Sequence, residues 1–394
     1  VAEAADQGVK FRMAASDTRP HNDNLFGLPD PGRYELEEAS FTGQKANFYG
    51  QLTLYNERVD GDSTGRADIN EIYWKNSFAY AELTLGKKRL GWGVGYGFRP
   101  LDVIVREPRR QLISATTVGL PMVALDFFNE KSNLTFLCGS DLGDDDRLQP
   151  LAEKRGSSQE CALRFYQLVD TWDWQIVLHH SPNTDTELGT GFSGVVGDSL
   201  ELHGELLNVR QYYQWHNSLL DSNQVIASRD PMVLRERMKA WQSVAGFTYT
   251  WANGFSVLGE AWFDGTALDQ REWRAVSDLT RQQIALLSNT TIPAYAIEQN
   301  RMASARYLMQ QNLAQKNVLA RVSFDGETHD PALDCLYLPE TGDTIVTLSD
   351  SYKIRQALTL EFGARYFSAK KDSVVDALPY RLQAYLSLTA STGW

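Results

Sequence analysis

The sequence predicts an all-β fold: a single antiparallel transmembrane β-barrel of about 14 strands with helical inserted loops. Three observations predict it. At the C-terminal end Leu382, Ala384, Leu386, Leu388 and Ala390 alternate with Gln383, Tyr385, Ser387, Thr389 and Ser391, so this stretch has one apolar and one polar side. It is about the 9–11 residues long that a tilted strand needs to cross a bilayer. The same period-2 pattern recurs along most of the chain between turn-forming clusters. Finally, no apolar run reaches the roughly 18 residues of a membrane helix. A mean hydropathy of -0.36 with 43% hydrophobic residues suits strands that turn half their side chains to a polar lumen.

Composition narrows the partners. A net charge of -12 and a pI near 5.1 argue against nucleic acid. Ten Trp suit girdles at the two membrane interfaces, and also a sugar-binding cleft. The chain begins at Val1, and Val1-Ala2-Glu3-Ala4-Ala5-Asp6 has the look of a mature terminus left by a removed signal peptide.

Residues 1–46 show no clear period, and Pro20, Pro29 and Pro31 mark them as an irregular N-terminal arm. The barrel is then 47–394. Phe48 to Glu57 alternates, Asp60 to Gly65 is a turn cluster, Ile69 to Trp74 is a second strand, Lys75-Asn76-Ser77 a short turn, and Ala79 to Leu85 a third strand. Inserted loops are expected at 86–118, 209–240 and 264–313. The first holds Gly91-Trp92-Gly93-Val94-Gly95-Tyr96-Gly97-Phe98-Arg99-Pro100-Leu101-Asp102, followed by Arg106, Arg109 and Arg110. Alternate glycines leave one side as bare backbone, which allows close approach of another backbone or a ligand. The functional reading is an inward-folded constriction with Trp92, Tyr96, Phe98, Arg99, Asp102, Arg106, Arg109 and Arg110 as pore candidates. The structural reading is a bent strand and tight loop. The run is no dinucleotide fingerprint, because its spacing is wrong and no helix pattern follows.

Strands follow at 120–128, 132–138, 160–169 and 172–180, with an aromatic-flanked tight turn at Asp170-Thr171. Cys138 ends one strand and Cys161 begins the next, so a disulfide between them is expected; closing a loop of about 24 residues contributes roughly 3 kcal/mol in the loop-entropy picture. It fits an oxidising compartment and leaves Cys335 over. Asp141, Asp144, Asp145 and Asp146 lie in the loop between and match no standard Ca²⁺ spacing, so they are expected to be solvated. At 199–207, Glu201, His203 and Glu205 share a strand face; a divalent metal is one reading, a polar lumen wall the favoured one. Neither metal nor cofactor is expected. Pro231 and Met232 to Lys239 predict a short helix. Asn253-Gly254 joins a hairpin of 243–251 and 255–263 that faces Glu260 inward. Helix-like spacing broken near Pro293 predicts two helices in 268–313, capping or plugging the pore. Strands resume at 317–325, 343–350, 356–367 and 377–391. Short turns belong at one end of a barrel, yet an odd number of strands separates those at 171 and 253, so one strand there is missed or merged.

A last strand closing on Trp394 resembles the ends of Gram-negative outer-membrane β-barrels, and the Trp92–Asp102 stretch resembles sequences of porin-like and export-type barrel proteins. The resemblance implies an outer-membrane location, outer-membrane lipid around the barrel, and a periplasmic or inner-membrane transport partner. With apolar faces to lipid, Glu57, Glu82, Glu201, His203, Glu205, Glu260, Arg321, Glu361, Arg365 and Arg381 line the lumen. This Glu-rich, mixed wall disfavours small anions and departs from the arginine-lined path expected of an exporter of acidic polysaccharide.

The first functional reading is a channel or exporter with loops folded into or over the pore, moving a hydrophobic or glycan-type cargo past Trp92, Tyr96 and Phe98. The alternative is a plugged structural or assembly barrel acting through a protein partner, which would not conduct. The lesser alternative is a β-rich hydrolase, but no nucleophile elbow and no HExxH motif is present, so the chain is read as not an enzyme.

Overall fold

The computed structural model describes residues 6–105, 107, 109–141, 158–288 and 291–393. In chain order the strands are β1 (Asp6–Pro20), β2 (Tyr34–Lys45), β3 (Phe48–Val59), β4 (Asp62–Phe78), β5 (Ala81–Lys88), β6 (Leu120–Phe128), β7 (Ser132–Asp141), β8 (Ser158–Val169), β9 (Trp172–Ser181), β10 (Asp185–Val196), β11 (Leu200–Asn217), β12 (Met232–Thr250), β13 (Phe255–Asp264), β14 (Lys316–Phe324), β15 (His329–Leu338), β16 (Asp343–Arg355), β17 (Leu358–Ser368) and β18 (Tyr380–Gly393). Each pairs antiparallel with its neighbours in sequence. β1 then pairs with β18, Phe11 opposite Ala390 and Ala15 opposite Leu386, so the 18-stranded sheet closes and no edge is left. Closure satisfies every strand within the sheet, as a bilayer requires.

Alternation decides which way each side chain faces. On β18, Leu386 and Leu388 are 51% and 38% exposed, whereas Tyr385 and Ser387, which alternate with them, are buried. Phe11, Phe136, Ile176, Leu333 and Phe362 also stand exposed, each from a different strand. Such a belt is out of place in water and at home in hydrocarbon. The turns at 46–47, 79–80, 129–131, 170–171, 197–199, 251–254, 325–328 and 356–357 share the end that carries both chain termini. The long loops lie at the other end.

The strand number corrects the expectation of about 14. β1, β2, β10 and β15 were not legible as strands. The stretch 1–46 is no irregular arm: β1 and β2 occupy most of it, joined by the Pro-rich segment 21–33. β2 hid because it turns Leu36 inward and buries it fully while Glu37 faces out. β15 hid behind Pro331, which sits within the strand opposite Asp350. β10 is the strand missing between the turns at 171 and 253; its glycines erase the alternation. Lys75-Asn76-Ser77 is not a turn, for β4 runs through it. Nor is Met232 to Lys239 a helix. It is the first half of β12, pairing with β11 from Asn217↔Met232 onward, so ladder partners override the helix-forming composition. The loop expected over 209–240 shrinks to 218–231.

The two expected helices are present, α1 (Gln270–Leu286) and α2 (Ala294–Ala303), followed by a 3₁₀ turn over Ser304–Met309. They are the only α-helices among the described residues. Asp269 starts α1 with a capping box to Glu272. Trp273, Val276, Tyr307 and Leu308 pack with Leu25 and Phe26 of the first loop and Val374 and Val375 of the last, forming an apolar cap over the long-loop end.

Candidate functional site: an internal hoop

β5 ends at Lys88 and β6, its neighbour in the sheet, begins at Leu120. Between them the chain does not return directly; it makes a circuit of the inner wall. It begins beside β4, where Arg89 N donates to Glu71 Oε1 (2.9 Å). Trp92, Leu101 and Val103 then pack on inward-facing Met122, Ala124, Leu137, Ala162, Val177, Leu207, Val209 and Ala240, from β6 to β12. The glycines of β10 now have a reason. A Cβ on Gly189 would stand 2.3 Å from Leu101, and one on Gly191 2.8 Å.

Three carboxylates hold the glycine run by its amides, in successive pairs. Trp92 N and Gly93 N both donate to Asp102 Oδ1 at 2.7 Å. Val94 N and Gly95 N donate to Glu205 Oε1, the second at 2.9 Å, while Leu101 N reaches Oε2 at 2.8 Å. Tyr96 N and Gly97 N donate to the two oxygens of Glu260, the second at 2.7 Å. His203 Nε2 also contacts Glu260, at 2.8 Å. Charged acceptors facing paired backbone donors make strong, geometrically specific bonds. They need bare backbone: a Cβ on Gly95 would fall 2.0 Å from the Phe98 carbonyl oxygen. Burial pushes the Asp102 carboxyl above its usual value, and the amides of Gly93 and Trp92 oppose the shift.

The circuit continues. Phe98 is buried among Val244, Leu258, Trp262 and Leu319. Tyr96 faces the open lumen, 40% exposed, with the Arg321 guanidinium 4.9 Å above its ring and Arg109 donating to its carbonyl. Arg110 donates to Leu308 O (2.7 Å) and Gln310 O (2.9 Å), tying the hoop to the cap, and Arg365 of β17 donates to Arg110 O (2.6 Å). Ile113 packs with Ala14, Leu36, Tyr55 and Tyr385. Arg12 donates to Ser114 O (2.8 Å), Thr116 N to Glu38 Oε1 (2.7 Å), and Asn70 to the carbonyls of Thr116 and Thr117 (3.3 Å each). Gly119 N reaches Asn70 O (2.8 Å) and the lap is complete.

The structure therefore redistributes the residues singled out from sequence. Glu205 and Glu260 do not line open water; they are buried anchors. Trp92 and Phe98 are buried in packing, so of the three aromatics only Tyr96 meets the lumen. Arg99 folds back to Gly95 O (2.7 Å) and lies 3.9 Å from Asp102 and from Glu107. Arg109 pairs with Glu107 (2.8 Å) and Arg321 with Asp334 (2.9 Å). Arg106 lies outside the described residues. Glu57 shares the inner face of β3 with Tyr55, Glu82 pairs with Lys75 (2.8 Å), Glu201 accepts from Ser193 (3.4 Å), and Glu361 accepts from the Tyr385 hydroxyl (2.8 Å). Arg381 is not at the hoop; it meets His21 and Asp376 between the first and last loops. Glu201, His203 and Glu205 do not converge on a common point, and no cluster of three metal-ligating side chains occurs among the described residues. The Cys138–Cys161 disulfide is present, between partners of β7 and β8, and Cys335 is free. Asp144, Asp145 and Asp146 lie outside the described residues. Arg12, Glu38 and Asn70 are anchors that no sequence signal marked, because each touches the hoop through backbone atoms distant in the chain.

Known structures share this architecture. OccAB1 of Acinetobacter baumannii aligns over 100% of this chain and 97% of its own, at TM-score 0.59 and 12% identity. OccAB4 of the same organism aligns over 100% and 99%, at 0.56 and 7%. The outer membrane protein OprD of Pseudomonas aeruginosa aligns over 100% and 95%, at 0.52 and 8%. No protein-family model and no curated protein sequence matches the chain. The chain is thus a closed 18-stranded β-barrel of porin-like architecture, similar to these outer-membrane proteins in fold.

Proposed function

We propose that the protein is an outer-membrane channel for small water-soluble solutes, with the hoop of residues 89–119 as its constriction. The observation that carries this reading is the hoop's course: a single loop bonded in turn to β4, β11, β13, β17, β1 and β2 narrows the lumen from every side. The channel resemblance of the fold supports it. The open edge of the hoop carries Tyr96 with Arg99, Arg109 and Arg321, against Glu107 and Asp334. Arg110 and Arg365 lie beside it with no carboxylate ion pair among the described residues. With Glu205 and Glu260 committed to backbone amides, this edge favours small anions over cations, the reverse of what a Glu-rich wall suggests. A hydrophobic or glycan cargo gains no support, since Trp92 and Phe98 are withdrawn into packing.

Planar-bilayer recording tests the reading. The wild-type barrel is expected to give small, discrete conductance steps that grow severalfold when residues 91–117 are replaced by a short Gly-Ser link. A second reading, a barrel plugged by hoop and cap and acting as a scaffold, is favoured by the apolar packing of the cap. Silence of the wild type and of the shortened variant alike would select the scaffold and overturn the channel.

A further inference from the structure

The first and last loops meet at the long-loop end around one histidine. Segment 21–33 follows β1, and segment 369–379 precedes β18, the neighbour of β1 in the closed sheet. Two backbone bonds cross between these loops, His21 N to Pro379 O (2.7 Å) and Leu25 N to Asp376 O (3.4 Å). The His21 side chain, 14% exposed, adds two more contacts. Its Nδ1 lies 3.2 Å from Leu378 O, and its Nε2 lies 3.0 Å from a guanidinium nitrogen of Arg381. A carbonyl oxygen only accepts and a guanidinium only donates, so the two contacts fix the ring. Nδ1 carries the hydrogen, Nε2 offers its lone pair, and the imidazole is neutral.

This pairing leaves no place for a second proton. A proton on Nε2 occupies the lone pair that Arg381 uses and sets one cation against another. The nearest counter-charge is already committed: Asp376 accepts from Arg381 through Oδ1 and from Asp372 N through Oδ2 (2.8 Å), with Oδ1 3.8 Å from His21 Nε2. The other titratable or charged groups around the ring are Arg19 and Asp23 on its own segment, Tyr380 on β18, and Arg301 of α2, which donates to Asn24 O and Leu25 O and pairs with Glu298. None of these makes a contact with His21 Nε2 among the described residues.

We propose that His21 is an acid-released latch between the first and last loops. Protonation parts the imidazole from Arg381 and frees the first loop from the last. The latched arrangement binds one proton fewer than the released one, so the latch weakens as pH falls through the range in which histidine takes up charge. Leu25 and Phe26 of the first loop pack with Trp273 and Val276 of α1, and with Val374 and Val375 of the last loop. Release therefore loosens the cap at the long-loop mouth and leaves the hoop in place.

Amide hydrogen exchange of the detergent-purified protein tests the proposal, read over residues 21–28 and corrected for the intrinsic pH dependence of exchange. From about pH 7.5 to about pH 5.5, wild-type protection of this segment is expected to fall roughly tenfold, the worth of one hydrogen bond to a charged group. His21→Gln keeps an acceptor for Arg381 that does not titrate, so its protection should change by less than about twofold over the same interval. Arg381→Gln removes the opposing cation, and acid should no longer lower protection there either. Heat-modifiable gel mobility shows that each variant is an intact barrel, and the ratio between the two pH values is read whatever the starting protection. Undiminished or increased wild-type protection at the lower pH would overturn the proposal. So would a full acid response persisting in His21→Gln or Arg381→Gln, which would assign the response to another group, His216 beside Asp221 (3.0 Å) among them. Exchange is read without a membrane or a current, so this proposal and the channel reading fail separately.

Discussion

The hoop and the cap both fill the barrel and both bury apolar side chains, but the hoop's glycine run is held by different chemistry. The cap over the long-loop end is an apolar core: Trp273 sits beside Phe26 with ring centroids 5.8 Å apart, in a cluster that also holds Val276, Tyr307, Leu308, Val374 and Val375. The glycine run of the hoop is held instead by Asp102, Glu205 and Glu260, through backbone amides. Apolar packing is tolerant of small displacements and proportional to area. Paired N–H to carboxylate bonds are directional and few, so losing one acceptor changes one short segment. The cap is therefore held as one packed body, and the hoop as a ring fixed at separate points.

That contrast can be broken in graded ways. Excising residues 91–117 should have the largest effect, enlarging conductance severalfold while the cap resists protease as before; loss of cap resistance would show the two are one unit. Trp273→Ala comes next, costing the cap about 3–5 kcal/mol. Limited proteolysis within 265–315 should accelerate, with no change at the hoop. Glu205→Gln should cost the hoop about 2 kcal/mol, since the amide offers one acceptor oxygen and sets its NH₂ against an N–H donor. Current should then flicker, with brief openings roughly 30-fold more frequent at that energy, and cap proteolysis should stay at the wild-type rate. Glu38→Gln should do least, about 1 kcal/mol, because Thr116 N is its one hoop amide and a carbonyl oxygen still serves it.

How much of this was legible follows from where the information sits. Outward alternation is local, so strands such as 356–367 and 377–391 could be read directly. The barrel's inner face is not uniformly polar, however. Where the hoop packs, β6 to β12 turn Met122, Leu137, Val177 and Leu207 inward, and β10 turns in Gly189 and Gly191. A strand with apolar or vacant inner positions loses the contrast that marks it, and β10 vanished for that reason. The glycine run announced bare backbone approaching something. What it approaches, Glu205 and Glu260, is more than a hundred residues further along the chain, and no spacing rule links an amide to a carboxylate at such separation. In the sequence His203 reads only as a lumen-wall residue or a metal ligand; its place beside the anchor Glu260 is a three-dimensional fact.

Amide hydrogen exchange across residues 92–97 reads whether carboxylates hold the glycine run by its amides. These amides, though in a loop, are expected to exchange as slowly as strand amides of β11 and β13. In Glu205→Gln, Val94, Gly95 and Leu101 should lose protection while Trp92 and Gly93 keep theirs. Exchange of all six in the wild type as fast as the exposed turn at 325–328 would contradict it.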